Sequence, residues 1–317
     1  MRALIAGFMT MVCAGAVFAQ DFPNRPIRIV VPFPPGGAAD IISRTLAQPL
    51  TRALGQSIVV ENRAGANTAI GAEVVVRAPA DGYTLLTIAP SFTINPFARS
   101  KLPYDTFKDF AGVTRCVSNA IVIAVHPSLP VKSVKDLIAL ARARPNELTF
   151  GTASILGGQR IAGELFAEAV GIKIVNVPYN GGAPATTAAM GGHTSMLVSN
   201  VVESAPQILA GRLRGTAVTS LARSDVLPDV PTVAESGFPG FEALNWFGMV
   251  ARAGSRAAID RLSAEIARAL ELPEVKDQMA KQGMMPAPMR PEEFDAFLRA
   301  EGQRNERIIK TLKLKIE

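Results

Sequence analysis

Short β-branched runs alternate along the chain with stretches of helical periodicity, and that alternation predicts an α/β fold. Ile27-Arg28-Ile29-Val30-Val31 reads as a strand. After Gly36-Gly37 a helix follows that gathers Ile41, Ile42, Leu46, Leu50 and Leu54 on one side. Pro49 falls inside this helix, where its missing N–H costs about 3 kcal/mol unless the helix kinks. Residues 57–60, 84–88 and 121–125 read as further strands, and 148–150, 173–177, 196–198 and 216–218 as a second set. Two amphipathic helices close the chain. One carries Ile259, Leu262, Ile266 and Leu270 at helical spacing. The other opens on Pro291-Glu292-Glu293, residues suited to a first turn, and buries Phe294, Phe297 and Leu298.

Ahead of this pattern, residues 1–19 are expected to be a secretory signal rather than part of the fold. Arg2 gives a positive start, residues 3–17 are almost all apolar or small, and Val17-Phe18-Ala19 ends on a small residue before Gln20. The apolar run is shorter than the ~20 residues that span a bilayer, so cleavage after Ala19 and export to the periplasm are expected. Cys13 leaves with the signal, and Cys116 then stands alone as a buried small apolar residue with no disulfide partner.

Composition adds little to the fold and more to the site. The chain carries 33 Lys+Arg against 27 Asp+Glu, a formal net charge of +6, which hints at an anionic partner. Yet charge is missing from five segments that are not plain core strands. They are 31–39 (VPFPPGGAA), 64–72 (AGANTAIGA), 88–98, 149–159 (TFGTASILGGQ) and 174–202. At least three run from strand through a Gly-rich loop into a helix. In an open α/β sheet such loops meet at the carboxyl ends of the strands, where unpaired N–H groups and helix dipoles suit a carboxylate or phosphate. Neutral loops hold an anion without burying a fixed cation in the empty state.

Catalytic, metal and nucleic-acid chemistry find no support. There is no G-x-S-x-G, P-loop, G-x-G-x-x-G or H-E-x-x-H spacing. His126, in an expected hinge region, and His193, at a strand start, read as ordinary turn histidines. The basic pairs Arg142/Arg144 and Arg212/Arg214 are short and lack interleaved aromatics, unlike a nucleic-acid platform. The expectation is a non-enzymatic, cofactor-free, metal-free binding protein, most simply a monomer.

The stretches RPIRIVVPFPPGGAADIISR from Arg25, VVENRAGANTAIGAE from Val59, APADGYTLL from Ala78 and LPYDTFKDF from Leu102 carry a resemblance. It continues through AGELF from Ala162, VPYNGGAPA from Val177 and LPDVPTVAESGFPGFE from Leu227. In order and spacing the chain resembles, over its whole mature length, the substrate-binding receptors of tripartite tricarboxylate transporters, the Bug family. The resemblance implies a two-domain, type II periplasmic-binding-protein fold with two hinge crossovers, closing on its ligand like a Venus flytrap. Domain 1 would comprise 21–123 plus 249–317 and domain 2 would comprise 124–248, with hinges near 121–125 and 245–250.

The resemblance further implies a small carboxylate, probed through backbone and water contacts. Carried to matching positions, domain 1 would contribute Pro35, Gly36, Gly37 and Ala38, then Ala66, Asn67 and Thr68, and Ser91. Domain 2 would contribute Ser154, Tyr179, Gly181, Ala183, Pro184 and Asn200. Asp40 and Arg44, four apart, read as a structural pair. Two departures from the family pattern stand out: Arg160 where a His is frequent, and Ser199 where an Asp is common. Both are expected to make the domain 2 side of the cleft more positive, with Arg160 reading a second carboxylate of a dicarboxylate or aromatic carboxylate ligand. The implied partners are that ligand and a two-component membrane permease. Two other roles are compatible with the sequence: a loaded co-receptor for a membrane sensor kinase, and a secreted enzyme on the same fold.

Overall fold

The computed structural model describes residues 22–99, 101–312 and 314. The expected signal segment and Cys13 lie outside the described residues.

The strands of the first half bury alternate side chains in two different cores, as a pleated strand covered on both faces must. In β1 (Ile27–Val31), Ile27, Ile29 and Val31 pack with α1 (Ala38–Leu54), while Val30 belongs to the opposite core. β2 (Ile58–Asn62) pairs parallel to β1 on one side. A 3-10 turn (Ala66–Thr68) and α2 (Ala69–Val76) lead to β3 (Thr84–Ile88), parallel to β1 on the other side. The short α3 (Pro90–Ala98) follows, and then the longest strand of the molecule, β4 (Phe110–Val125). α1 runs through Pro49 without ending, and Gly55 at φ 67° closes it.

The second half repeats the grammar. After α4 (Val134–Ala143) come β5 (Thr149–Thr152), α5 (Gly158–Val170), β6 (Val175–Pro178) and α6 (Gly182–Met190). They are followed by β7 (Met196–Asn200), α7 (Val201–Leu209) and β8 (Arg214–Val218). β5 lies parallel between β6 and β7. Ile121, Ile123, Met196 and Val198 face α4 and α5, whereas Ala124 and Leu197 face α6. The chain then returns through β9 (Leu244–Arg252) to α8 (Arg256–Glu271), α9 (Pro273–Ala280), β10 (Met284–Pro286) and α10 (Pro291–Leu312). α8 joins α1 on one face of the first half. α10 covers the other face through Phe294 and Leu298, with Trp246 of β9.

Among the described residues one ten-stranded sheet, ordered β2-β1-β3-β9-β4-β7-β5-β6 with β8 and β10 also on β4, links the halves. β4 changes partners along its length. From Phe110 to Ala120 it pairs with β9, and Ser118 and Asn119 also face β10. From Ile121 to Val125 it pairs with β7 and β8 instead. The return leg crosses alongside: Thr219 N–H donates to Ile121 O, Ala243 N–H donates to Thr219 O, and the next residue, Leu244, already pairs with Ala120. His126 follows Val125, about five residues beyond this exchange of partners.

Candidate functional site

The carboxyl ends of β1, β3, β5, β6 and β7 all face the space between the halves, and each feeds a helix, namely α1, α3, α5, α6 and α7. All five helices start without a side-chain cap. A helix start leaves up to four N–H groups unpaired and carries about half a positive charge. Five of them around one space make a strongly electropositive site without a fixed cation. Gly181, at φ 125°, lets β6 turn into α6 in a conformation other residues resist.

Two adjoining cavities occupy this space. The inner one, about 40 Å³, is bordered by the starts of α1, α3, α5, α6 and α7 together with Asn245 and Phe247 of β9. That volume holds a few waters at most. The outer one, about 370 Å³, lies between residues 64–68 and Arg99 on one side and Ile155 and 178–180 on the other. Phe33, Pro34, Ala153 and Ser154 border both. The halves touch around them, with Asn67 Nδ2 donating to Leu156 O at 2.9 Å.

The predicted residues divide between the two spaces. Pro35, Gly37, Ala38, Ser91, Gly181, Ala183, Pro184 and Asn200 border the inner cavity, Ala66, Asn67, Thr68 and Tyr179 the outer one, and Ser154 both. Gly36 borders neither, and its N–H donates to Asp40 Oδ2 at 3.0 Å. Asp40 also accepts from Arg44 and Asn62, a structural cluster that holds its pKa below the usual carboxylate value. Burial opposes that lowering, and the hydrogen bonds from Arg44, Gly36 and Asn62 outweigh it.

The inner cavity is not uncharged. Glu203, in the first turn of α7, reaches into it from the second half. Ala38 N–H, at the start of α1 in the first half, donates to its Oε1 at 3.2 Å. Gln159 Nε2 at 2.9 Å, Ser199 Oγ at 2.9 Å and Asn200 Nδ2 at 3.1 Å all donate to its Oε2. Burial raises the pKa of Glu203, and the four donors pull it down without cancelling the rise. A carboxylate of the chain itself thus sits in the electropositive focus. Sequence reading missed it because the uncharged segment 174–202 stops one residue short of it. The only local signal was an acidic residue three positions into a helix, which ordinarily just complements the dipole.

Two expectations need revision here. Arg160 borders neither cavity: its Nε donates to Glu164 Oε1 at 2.6 Å and its Nη1 to Asn176 Oδ1 at 2.8 Å. The i,i+4 spacing on α5 and the nearby end of β6 draw the guanidinium along its own domain rather than across the cleft. Ser199 is neutral where an Asp is common, but it does not leave the second half free of negative charge, because its hydroxyl donates to the Glu203 carboxylate beside it. Among the described residues, the basic side chain bordering one of these two cavities is Arg99, whose Nη1 donates to Ala66 O at 2.6 Å. Arg160→Ala should therefore leave carboxylate affinity within about twofold and cost about 1 kcal/mol of stability, as a partly exposed pair does. Calorimetric titration and urea unfolding of the variant check both.

Other candidates stay outside the site. His126 Nδ1 lies 2.7 Å from Ser128 Oγ, and neither it nor His193 borders either cavity. Cys116 is buried, and burial pushes its thiol up to about 12. Among the described residues no cluster of metal-ligating side chains occurs, and no helix is long and apolar enough to cross a membrane.

The sequence profile described as "Tripartite tricarboxylate transporter family receptor" matches residues 42–314. Protein BugT of Bordetella pertussis is 36% identical over 92% of this chain and 90% of its own length. A structure described as R. palustris Rpa4515 with adipate superposes with a TM-score of 0.89 at 34% identity, covering 93% of this chain and 99% of that one. MatC from Rhodopseudomonas palustris, solved with bound malate, gives 0.82 at 26% identity over 91% and 100% of the two chains. The fold is the mixed α/β, type II periplasmic-binding-protein fold, with its two halves joined by β4 and the return leg into β9. With the profile spanning most of the sequence and BugT alike along nearly all of it, the chain belongs to the receptor family of the tripartite tricarboxylate transporters.

Proposed function

We propose that the protein is a periplasmic receptor that captures a small dicarboxylate between its halves and delivers it to a two-component membrane permease. The observation that carries this reading is the convergence of five uncapped helix starts on one space, where four donors already hold a carboxylate. Arg99 supplies a cation in the adjoining outer cavity, so a ligand with two acidic ends matches both spaces. Relatives solved with adipate and with malate support that class. The exchange of strand partners at Ala120/Ile121 and at Ala243/Leu244 puts two single-strand crossings side by side, a natural axis for opening. The ligand binds first to one half and is then enclosed, because the closed form offers it contacts from both. No covalent step is needed, and receptor rather than catalyst is the role proposed.

A thermal-shift and calorimetric series tests this. Adipate at 100 times its Kd should add about 2.7 kcal/mol of stability. Arg99→Ala should weaken adipate about tenfold while leaving hexanoate, the monocarboxylate of the same length, within about twofold, as expected for one lost charge-assisted contact. Equal losses for both acids would sink the two-ended reading. Absence of any shift with adipate, malate or related acids would sink the carboxylate reading as a whole.

A further inference from the structure

We propose that a carboxylate ligand enters the inner cavity together with one proton, which it shares with Glu203, so that binding tightens as pH falls. The inference rests on the carboxylate reading above. Its starting point is that the electropositive focus already holds an acid: Ala38 N–H, Gln159, Ser199 and Asn200 all donate to Glu203. A second carboxylate drawn to the same donors arrives next to the first. Two carboxylates sharing one site do not both stay ionised, because their repulsion in a water-poor space raises one pKa strongly.

Among the described residues, no charged side chain on the border of the inner cavity relieves that repulsion. α1 presents Gly37 and Ala38, and its nearest acid, Asp40, is engaged by Gly36, Arg44 and Asn62. α3 presents Pro90 and Ser91. α5 presents Gln159, while the next residue, Arg160, is held by Glu164 and Asn176. α6 presents Gly182, Ala183 and Pro184, and β9 presents Asn245 and Phe247. Among the described residues, Glu203 is the one titratable side chain on the border of the inner cavity, and Arg99 stands at the outer one. Two further groups suit a ligand that brings a hydrogen. Asn245 and Ser91 both border the inner cavity, and Asn245 Oδ1 and Ser91 Oγ are each buried with no partner. Burial raises the pKa of Glu203 and places it closer to uptake of a proton than an ordinary glutamate.

The proton comes from solvent and lies between Glu203 and the inner carboxyl of the ligand as an O–H···O⁻ bond. It satisfies one acid as donor and the other as acceptor, with no bond to carbon made or broken. Glu203 is thereby a specificity-determining residue as well: it favours ligands that offer a hydrogen at the inner end, and disfavours full dianions at high pH.

Titration calorimetry with adipate, at about pH 6, 7 and 8 and in two buffers of different ionisation enthalpy, tests the proposal. Over this range free adipate is ionised. The wild-type protein should take up about one proton per adipate bound, and its Kd should rise about tenfold per pH unit once Glu203 and ligand are both ionised when apart. Glu203→Gln and Glu203→Ser should take up none and bind with a nearly flat pH profile, tighter than wild type at about pH 8. Two variants are used so that poor folding of one does not decide the matter, with circular dichroism confirming each fold. Proton uptake that persists in both variants, or its absence from wild type that does bind adipate, overturns the proposal and leaves the carboxylate reading standing. If no variant and no wild-type sample binds adipate or malate at any pH, the carboxylate reading itself fails and the proton goes with it.

Discussion

Asn200→Ala is expected to lose about 3–5 kcal/mol of stability in urea unfolding, far more than an average polar substitution. Asn200 ends β7 and precedes α7, and its side chain ties three segments together. Its Oδ1 accepts from Asn119 Nδ2 of β4 at 2.8 Å and from Asn245 Nδ2 of β9 at 2.8 Å, and its Nδ2 donates to Glu203. All three asparagines are buried, and Asn119 and Asn245 each already carry an unpaired Oδ1. Truncation removes the shared acceptor, leaving Asn119 Nδ2 only its bond to Ala120 O at 3.3 Å, and a buried group left without a partner costs about 1–3 kcal/mol. Because Asn119 and Asn245 lie next to the two crossings, the loss falls on the link between the halves. A cost below about 1 kcal/mol would mean that water replaces the side chain and that the asparagine cluster does not hold the crossings together.

Gly182→Ala is the second large effect, about 2–3 kcal/mol, and it carries its own control. A Cβ at Gly182 overlaps the carboxylate of Glu203, so the glutamate must leave its four donors. Away from them it is a poorly solvated charge beside emptied N–H groups. Alanine on its own would be the better residue in the first turn of α6 by up to about 1 kcal/mol. In a Glu203→Ser background the overlap vanishes, and Gly182→Ala should then be neutral or stabilising. The double-mutant cycle isolates the contact. If the glycine change costs the same in both backgrounds, Gly182 is conserving backbone shape rather than room for Glu203.

Much of the fold was legible because its determinants are local. β3 spans the residues read from sequence, and its TLLTI run is almost entirely buried. The Pro291-Glu292-Glu293 start of α10 and the buried Cys116 were equally plain. Other elements were hidden for a physical reason. The first part of β4 contains Arg115, Ser118 and Asn119, and its register against β9 shifts twice, between Gly112 and Thr114 and between Arg115 and Val117. Each shift resets the alternation that identifies a strand. β9 carries Asn245, Trp246 and Gly248 among its apolar residues, which interrupt the strand pattern, yet it pairs with both β3 and β4.

The site divided in the same way. Gly-rich turns after strands mark where N–H groups will be bare, and the uncharged segments did lead to the loops bordering the two cavities. Charge did not follow from sequence. Arg160 stood in a matching stretch but turned to a partner four residues away, whereas Arg99, at the end of α3, came to border the outer cavity. The basic surplus of +6 hinted at an anion, while the inner cavity is electropositive through helix ends and holds an acid.

By itself, the sequence determined the α/β class, the strand-loop-helix grammar, the family and the neutral Gly-rich loops, because each depends on residues close together in the chain. Only the tertiary structure decided which of these loops share a cavity, where the strands exchange partners, and that Glu203 occupies the focus of five helix starts. Ala38 and Glu203 are 165 positions apart, and no local pattern encodes their hydrogen bond. It exists because two halves, each folded by its own periodicity, are held face to face by the same long strand.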